Sequence, residues 1–231
     1  MVKNSLLVAT VLSLILTGCG GIDWIDFVQF NGINYIAVDY FGGAAGRDLV
    51  EADLGPEFAQ VKFKHEQQHL FGHECCRDGD AAFLDAGTPV YIVKGYHPEF
   101  RLAAYRDDRL VLYEADTNPK AQTGADLLDI GGKARSIGVN SEQDGATELA
   151  AITDPEQVAV LVELVLGAPV DQTHTTQVGF KYFIAFHLGD GTIVTRAYWP
   201  DSGQLSRGIM LPEAFRTAVE QALLAAAPTP P

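Results

Sequence analysis

Along this chain the spacing of apolar residues changes character more than once, and each change predicts a different element. Val28, Phe30, Ile33, Tyr35 and Ala37 lie at alternating positions on either side of Asn31-Gly32. Alternation sends successive side chains to opposite faces of a strand, and an Asn-Gly pair tolerates the positive φ of a tight turn. The segment therefore predicts a β-hairpin. Strand-like patterns follow at 58–64, 89–94, 101–105 and 109–114, with Arg106-Asp107-Asp108 as a turn between the last two. Residues 26–125 thus read as an all-β domain of short antiparallel strands.

Between 115 and 132 the chain is loop-like, and beyond it the period lengthens. Strands are predicted at 135–139 and 147–152. Thr153-Asp154-Pro155-Glu156 then fits a capping box, in which the Thr hydroxyl and the Glu carboxylate satisfy orphan backbone donors. Val158, Leu161, Val162 and Val165 follow at helical spacing, and Gly167 supplies a stop. A second hairpin is predicted over 180–188 and 192–199, turning at Gly189-Asp190-Gly191. Pro212 opens a last helix with Phe215, Val219, Ala222 and Leu223 on one face. The expected fold class is α+β. The mostly-β N-terminal part would be followed, over 126–231, by a small two-layer domain with two helices on one face of an antiparallel sheet.

The start of the chain has a third pattern. Residues 6–16 are apolar except for Thr10 and Ser13, and Lys3 is the only charge before them. Eleven residues are too few to span a bilayer but suit the apolar region of a secretory signal. The run ends in Leu16-Thr17-Gly18-Cys19, which resembles the lipobox of bacterial lipoproteins. That resemblance implies removal of residues 1–18 and a diacylglyceryl group on the Cys19 thiol. Residues 19–25 would be a tether, and the body would sit on the extracytoplasmic face of the cell membrane. Two acyl chains make such an anchor stable where one would be marginal.

Composition narrows the partners. The chain has 16 basic and 30 acidic residues, a formal charge of −14. So acidic a surface is a poor match for nucleic acid or anionic lipid, and the expected partners are the membrane through its anchor and an unidentified protein or small-molecule ligand. Of three cysteines, a lipidated Cys19 leaves only the neighbours Cys75 and Cys76, which cannot close a long loop. No disulfide framework is expected.

The candidate chemistry is concentrated in one segment. His65-Glu66-Gln67-Gln68-His69 fits H-E-x-x-H, in which two histidines one helical turn apart hold zinc and the glutamate acts as general base. The longer form of that motif needs a third ligand where this chain has Cys75, and Val61-Lys62-Phe63-Lys64 alternates like a strand rather than a helix. A wider set, His65, His69, His73, Cys75 and Cys76, offers imidazoles and thiolates to zinc or copper. Against it, adjacent cysteines rarely ligate one tetrahedral ion, and a solvated loop is the simpler expectation. Asp-Gly pairs at 144–145 and 190–191 read as turns rather than calcium loops. No G-x-S-x-G elbow is present. Tyr182, Phe183, Phe186 and Trp199 are expected in the sheet core.

The stretch GDAAFLDAGTPVYIVKGYHPEFRLAA, with the following RLVLYEADTNPKAQTGADLLDIGGK, resembles an uncharacterised family of bacterial exported lipoproteins. The resemblance implies that the histidine-rich segment joins two strands of the β part, and it transfers no catalytic residue. The expected function is a membrane-anchored, non-enzymatic binding or interaction module at the cell envelope. The alternatives are a zinc-dependent hydrolase built on His65, Glu66 and His69, and a metal-binding lipoprotein using the His/Cys set.

Overall fold

Asn31 and Gly32 adopt φ of 55° and 77°, and the strands they join pair from Phe27↔Ile36 to Phe30↔Ile33. The first predicted hairpin therefore forms at the expected turn. In this computed structural model, which describes residues 25–38, 46–64, 77–173 and 177–227, it belongs to an α+β fold of two sheets and two helices.

The larger sheet has eight strands: β1 (Phe27–Phe30), β2 (Ile33–Ala37), β3 (Leu54–Gln60), β4 (Phe63–Lys64), β5 (Asp80–Ala81), β6 (Pro89–Val93), β7 (Arg101–Arg106) and β8 (Arg109–Thr117). Their spatial order is β3-β6-β7-β8-β2-β1-β5-β4, antiparallel except for β4 beside β5. Asp107 and Asp108, at φ of 49° and 60°, turn β7 into β8. The predicted strand 58–64 is in fact divided between β3 and β4. Although β1 and β3 lie far apart in the strand order, Phe30 meets Phe58 edge-on at 6.0 Å. The sheet must curl for that contact to form. The curl encloses a core of Val28, Tyr35, Leu102, Ala104, Val111 and Tyr113.

The second sheet is antiparallel in the order β10-β9-β11-β12-β13-β14. Its strands are β9 (Ala134–Asn140), β10 (Glu148–Ile152), β11 (Tyr182–Leu188), β12 (Ile193–Trp199), β13 (Gln204–Leu205) and β14 (Ile209–Met210). Helix α1 (Pro155–Gly167) packs on β9, and α2 (Glu213–Ala226) on β10. The N-cap of α1 is Asp154, one residue later than predicted. Its carboxylate accepts from the Gln157 backbone N–H at 2.8 Å, and Pro155 fills the first helical position, where no amide N–H is needed. Pro212 stands at the N-cap position of α2, where the last helix is expected to open, and makes no side-chain cap.

Strand alternation divides the larger sheet between two interiors. Leu102, Ala104, Val111 and Tyr113 face the curl, whereas Ala103 and Leu112 join a second core with Ile137, Ile184, Phe186, Val162 and Phe215. Tyr198 meets Phe215 edge-on at 5.5 Å in that core, an aromatic contact that contributes about 1 kcal/mol beyond its buried area. Residues on both sides of position 125 share this interior. The surface where β7 and β8 meet the second sheet is therefore covered on both sides, and it contains charge.

Candidate functional site

In that seam, Arg101 and Glu114 are directly paired across β7 and β8. Arg101 is fully buried. Its Nε and Nη2 donate to Glu114 Oε1 at 3.0 and 2.6 Å, and its Nη1 donates to Thr192 Oγ1 at 2.8 Å. The guanidinium lies over the Tyr96 ring, 4.5 Å from its centroid. Arg196 of β12 donates to the other carboxylate oxygen, Oε2, at 2.8 Å. Burial alone would raise the Glu114 carboxyl, but the two guanidinium charges outweigh it and hold it below the ordinary carboxylate range. One buried carboxylate thus joins two strands of the first sheet to one of the second.

The seam continues to the β11–β12 turn. The Tyr96 hydroxyl donates to Asp190 Oδ2 at 2.7 Å, while Asp190 Oδ1 accepts from both the amide and the hydroxyl of Thr192. Burial drives the Tyr96 hydroxyl up to about 12, so it stays a donor. From outside, Arg47 donates to the Asp190 carbonyl at 2.7 Å and forks onto Asp53 at 2.7 and 2.8 Å. Hydrogen bonding from Arg47 lowers Asp53 to about 2. Gly46 is required at this junction because its φ is 84° and a Cβ there would lie 2.4 Å from the Gly191 carbonyl oxygen.

Beside Glu114 the seam opens into two clefts of ≈ 330 and ≈ 320 Å³ that share Asp116, Trp199, Ser206 and Arg207. Phe183, Arg196 and Thr195 line the larger one. Arg207, in the β13–β14 turn, pairs with Asp116 through Nη2 and Oδ1. It is also a non-glycine residue at φ 73°. Its side chain is 33 % exposed. Partial burial pulls that group down to about 10, against the opposing charge of Glu114, and it remains charged at neutral pH.

Cys19, His65, Glu66, His69, His73, Cys75 and Cys76 lie outside the described residues. The strands flanking the histidine-rich segment, β4 and β5, are parallel neighbours in register Phe63↔Asp80. Phe186 is buried as expected, but Tyr182 is only partly buried at the margin of the core, and Phe183 and Trp199 are partly exposed walls of the clefts. Arg101, Glu114, Arg196 and Arg207 belong to no sequence motif. One signal for the first pair was present. Counting outward from a two-residue turn at Asp107-Asp108 sets Arg106 opposite Arg109 and, five steps on, Arg101 opposite Glu114. No protein-family model matches the chain, and no curated protein or solved structure matches it either.

Proposed function

We propose that the chain is an exported lipoprotein, held at the extracytoplasmic face of a membrane by lipid on Cys19, whose body is a non-enzymatic binding module. Its ligand would enter the larger cleft, against the Trp199 and Phe183 walls and the Arg196 and Arg207 guanidinium groups. The observation that carries the reading is Arg207. A non-glycine residue in the left-handed region costs on the order of 1 kcal/mol or more, and such strain persists where the surroundings over-determine it, as at ligand clamps. Here the strained residue lines both clefts, with its guanidinium paired to Asp116 between them. A volume of ≈ 330 Å³ falls at the small end of ligand pockets, which run from about 300 Å³ upward. Behind the cleft we read the C-terminal part as two layers, with α1 and α2 on one face of the second sheet. Val158, Val165, Phe215 and Val219 share a core with Ile137 and Phe186, which supports that reading.

Two measurements test the proposal. Cys19→Ala should release the protein from the membrane fraction, and retention there would refute the anchor. A screen of small polar envelope compounds should yield ligands that change Trp199 emission in wild type and not in Arg207→Gly, which keeps the backbone conformation. Equal responses in both would remove the cleft from the proposal.

A further inference from the structure

The outer face of the second sheet holds a separate constellation. The register aligns Ala151, Gly138, Ala185 and Thr195 in one row across β10, β9, β11 and β12. Small residues make the sheet surface low there. Three polar atoms from three strands lean over the lowest point. A Cβ built on Gly138 would lie 2.8 Å from Glu148 Oε2, 3.2 Å from Asn140 Oδ1 and 3.3 Å from His187 Nε2. Glu148 Oε2 and His187 Nε2 are themselves 3.8 Å apart.

Asn140 distinguishes this cradle from a chance surface cluster. The residue is only 7 % exposed. Its Nδ2 donates to the Gly145 carbonyl at 2.9 Å, which fixes the amide so that Oδ1 points at the cradle. That oxygen is buried and has no hydrogen-bond partner. Leaving a buried acceptor unsatisfied costs about 1–3 kcal/mol, so such an atom in a folded protein calls for a partner. Glycine in the interior of a strand is itself unfavourable and often marks where a ligand approaches the backbone closely. Glu148 and His187 are half-exposed, so an ion could reach the point and their tips could close on it.

We infer that Asn140, Glu148 and His187 form a binding site for a divalent first-row cation of the zinc class, seated over Gly138. Among the described residues no three His, Cys, Asp or Glu side chains are placed to hold a metal ion by themselves. The third donor here is an amide oxygen. An imidazole nitrogen with carboxylate and amide oxygens is a mixed, borderline donor set, which favours zinc or nickel over calcium or magnesium. Three protein ligands leave a position for water, as in open zinc sites. The negative charge of Glu148 offsets part of the ion's charge. The row of small residues ends at Thr195, which also lines the larger cleft, but the three donors Asn140, Glu148 and His187 are not among that cleft's lining residues.

The test uses the full-length chain without a polyhistidine tag, titrated calorimetrically with zinc, then with calcium. Wild type should bind zinc, with a component lost in His187→Ala and weakened by at least about tenfold in Glu148→Gln, since each removes a ligand. Gly138→Ala should lose the same component because its methyl group fills the cradle. Thermal melts without metal check the fold, and Glu148→Gln changes only a half-exposed side chain. Unchanged zinc binding in His187→Ala and Glu148→Gln would overturn the inference. So would the absence of any zinc heat in wild type, which would mean that the cradle holds water alone. Equal affinity for calcium would overturn the assignment of a borderline ion.

Discussion

Replacing Arg101 with methionine should be one of the most destabilising single changes in the chain. Methionine fills most of the volume of the arginine stem, so little cavity is created and the effect isolates the charge. Three hydrogen bonds disappear, two to Glu114 Oε1 and one to Thr192 Oγ1. Thr192 keeps its bond to Asp190, so its loss is small. Glu114 is the main term, because it remains buried with one guanidinium instead of two. Removing one partner of a buried ion pair costs about 3–5 kcal/mol. Arg196 still neutralises the carboxylate at 2.8 Å, which places this case near the lower end, about 3 kcal/mol. For a chain of this length that lowers Tm by roughly 6–12 °C. Urea denaturation followed by tryptophan emission and far-ultraviolet circular dichroism would measure it. Arg101→Met combined with Glu114→Gln should lose less than the sum of the single changes, with a coupling of about 1–3 kcal/mol. A loss below about 1 kcal/mol for Arg101→Met, or strict additivity in the double variant, would refute the view that the pair holds the seam.

Two further predictions concern the edges of this interior. Asp53 titrates near 2 when folded against an ordinary 3.8, and a lowered carboxylate stabilises above its unfolded value. Its contribution should therefore be complete above about pH 4 and disappear as the pH falls towards 2, in the same direction as the lowered Glu114. Urea midpoints at stepped acidic pH would show it, and Asp53→Asn, whose midpoint should depend less on pH over that window, is the control. Gly124→Ala should destabilise by about 2 kcal/mol or more, because its Cβ would lie 2.0 Å from the Val165 carbonyl oxygen in α1 and neither backbone can yield cheaply. A melt within about 1 °C of wild type would show that the turn can move away from the helix.

Local chemistry made much of the fold legible, and long-range pairing made the rest illegible. Asn31-Gly32 and Asp107-Asp108 announce their hairpins because a positive φ limits which residues fit, and both turns form where expected. Helix α1 was legible for the same local reason, although the cap moved from Thr153 to Asp154 once Pro155 set the first helical position. Strands β13 and β14 are not legible because two residues each give no alternation to read. The placement of β2 beside β8 depends on how the whole sheet closes, and no window of sequence contains both. Phe183 and Trp199 read as core residues because aromatic strand positions usually are. Their exposure follows from the clefts beside β12, which only the packed sheets create.

The same distinction explains why neither candidate site forms a sequence motif. A motif records residues close in sequence, as in the histidine-rich segment. The cleft takes Glu114 from β8, Arg196 from β12 and Arg207 from the β13–β14 turn, and the cradle takes one donor from each of three strands. In both places the informative feature is a local rule broken without local compensation: an arginine at positive φ, and a buried amide oxygen left without a partner. Such violations raise the energy of the fold. Sequences that fold well tend to confine them to positions where a bound group relieves the cost. If Arg207→Gly stabilises the free protein while abolishing the ligand response at Trp199, the strain belongs to binding. If it stabilises and leaves binding intact, the strain is only a consequence of the β13–β14 turn, and the cleft has lost its main support.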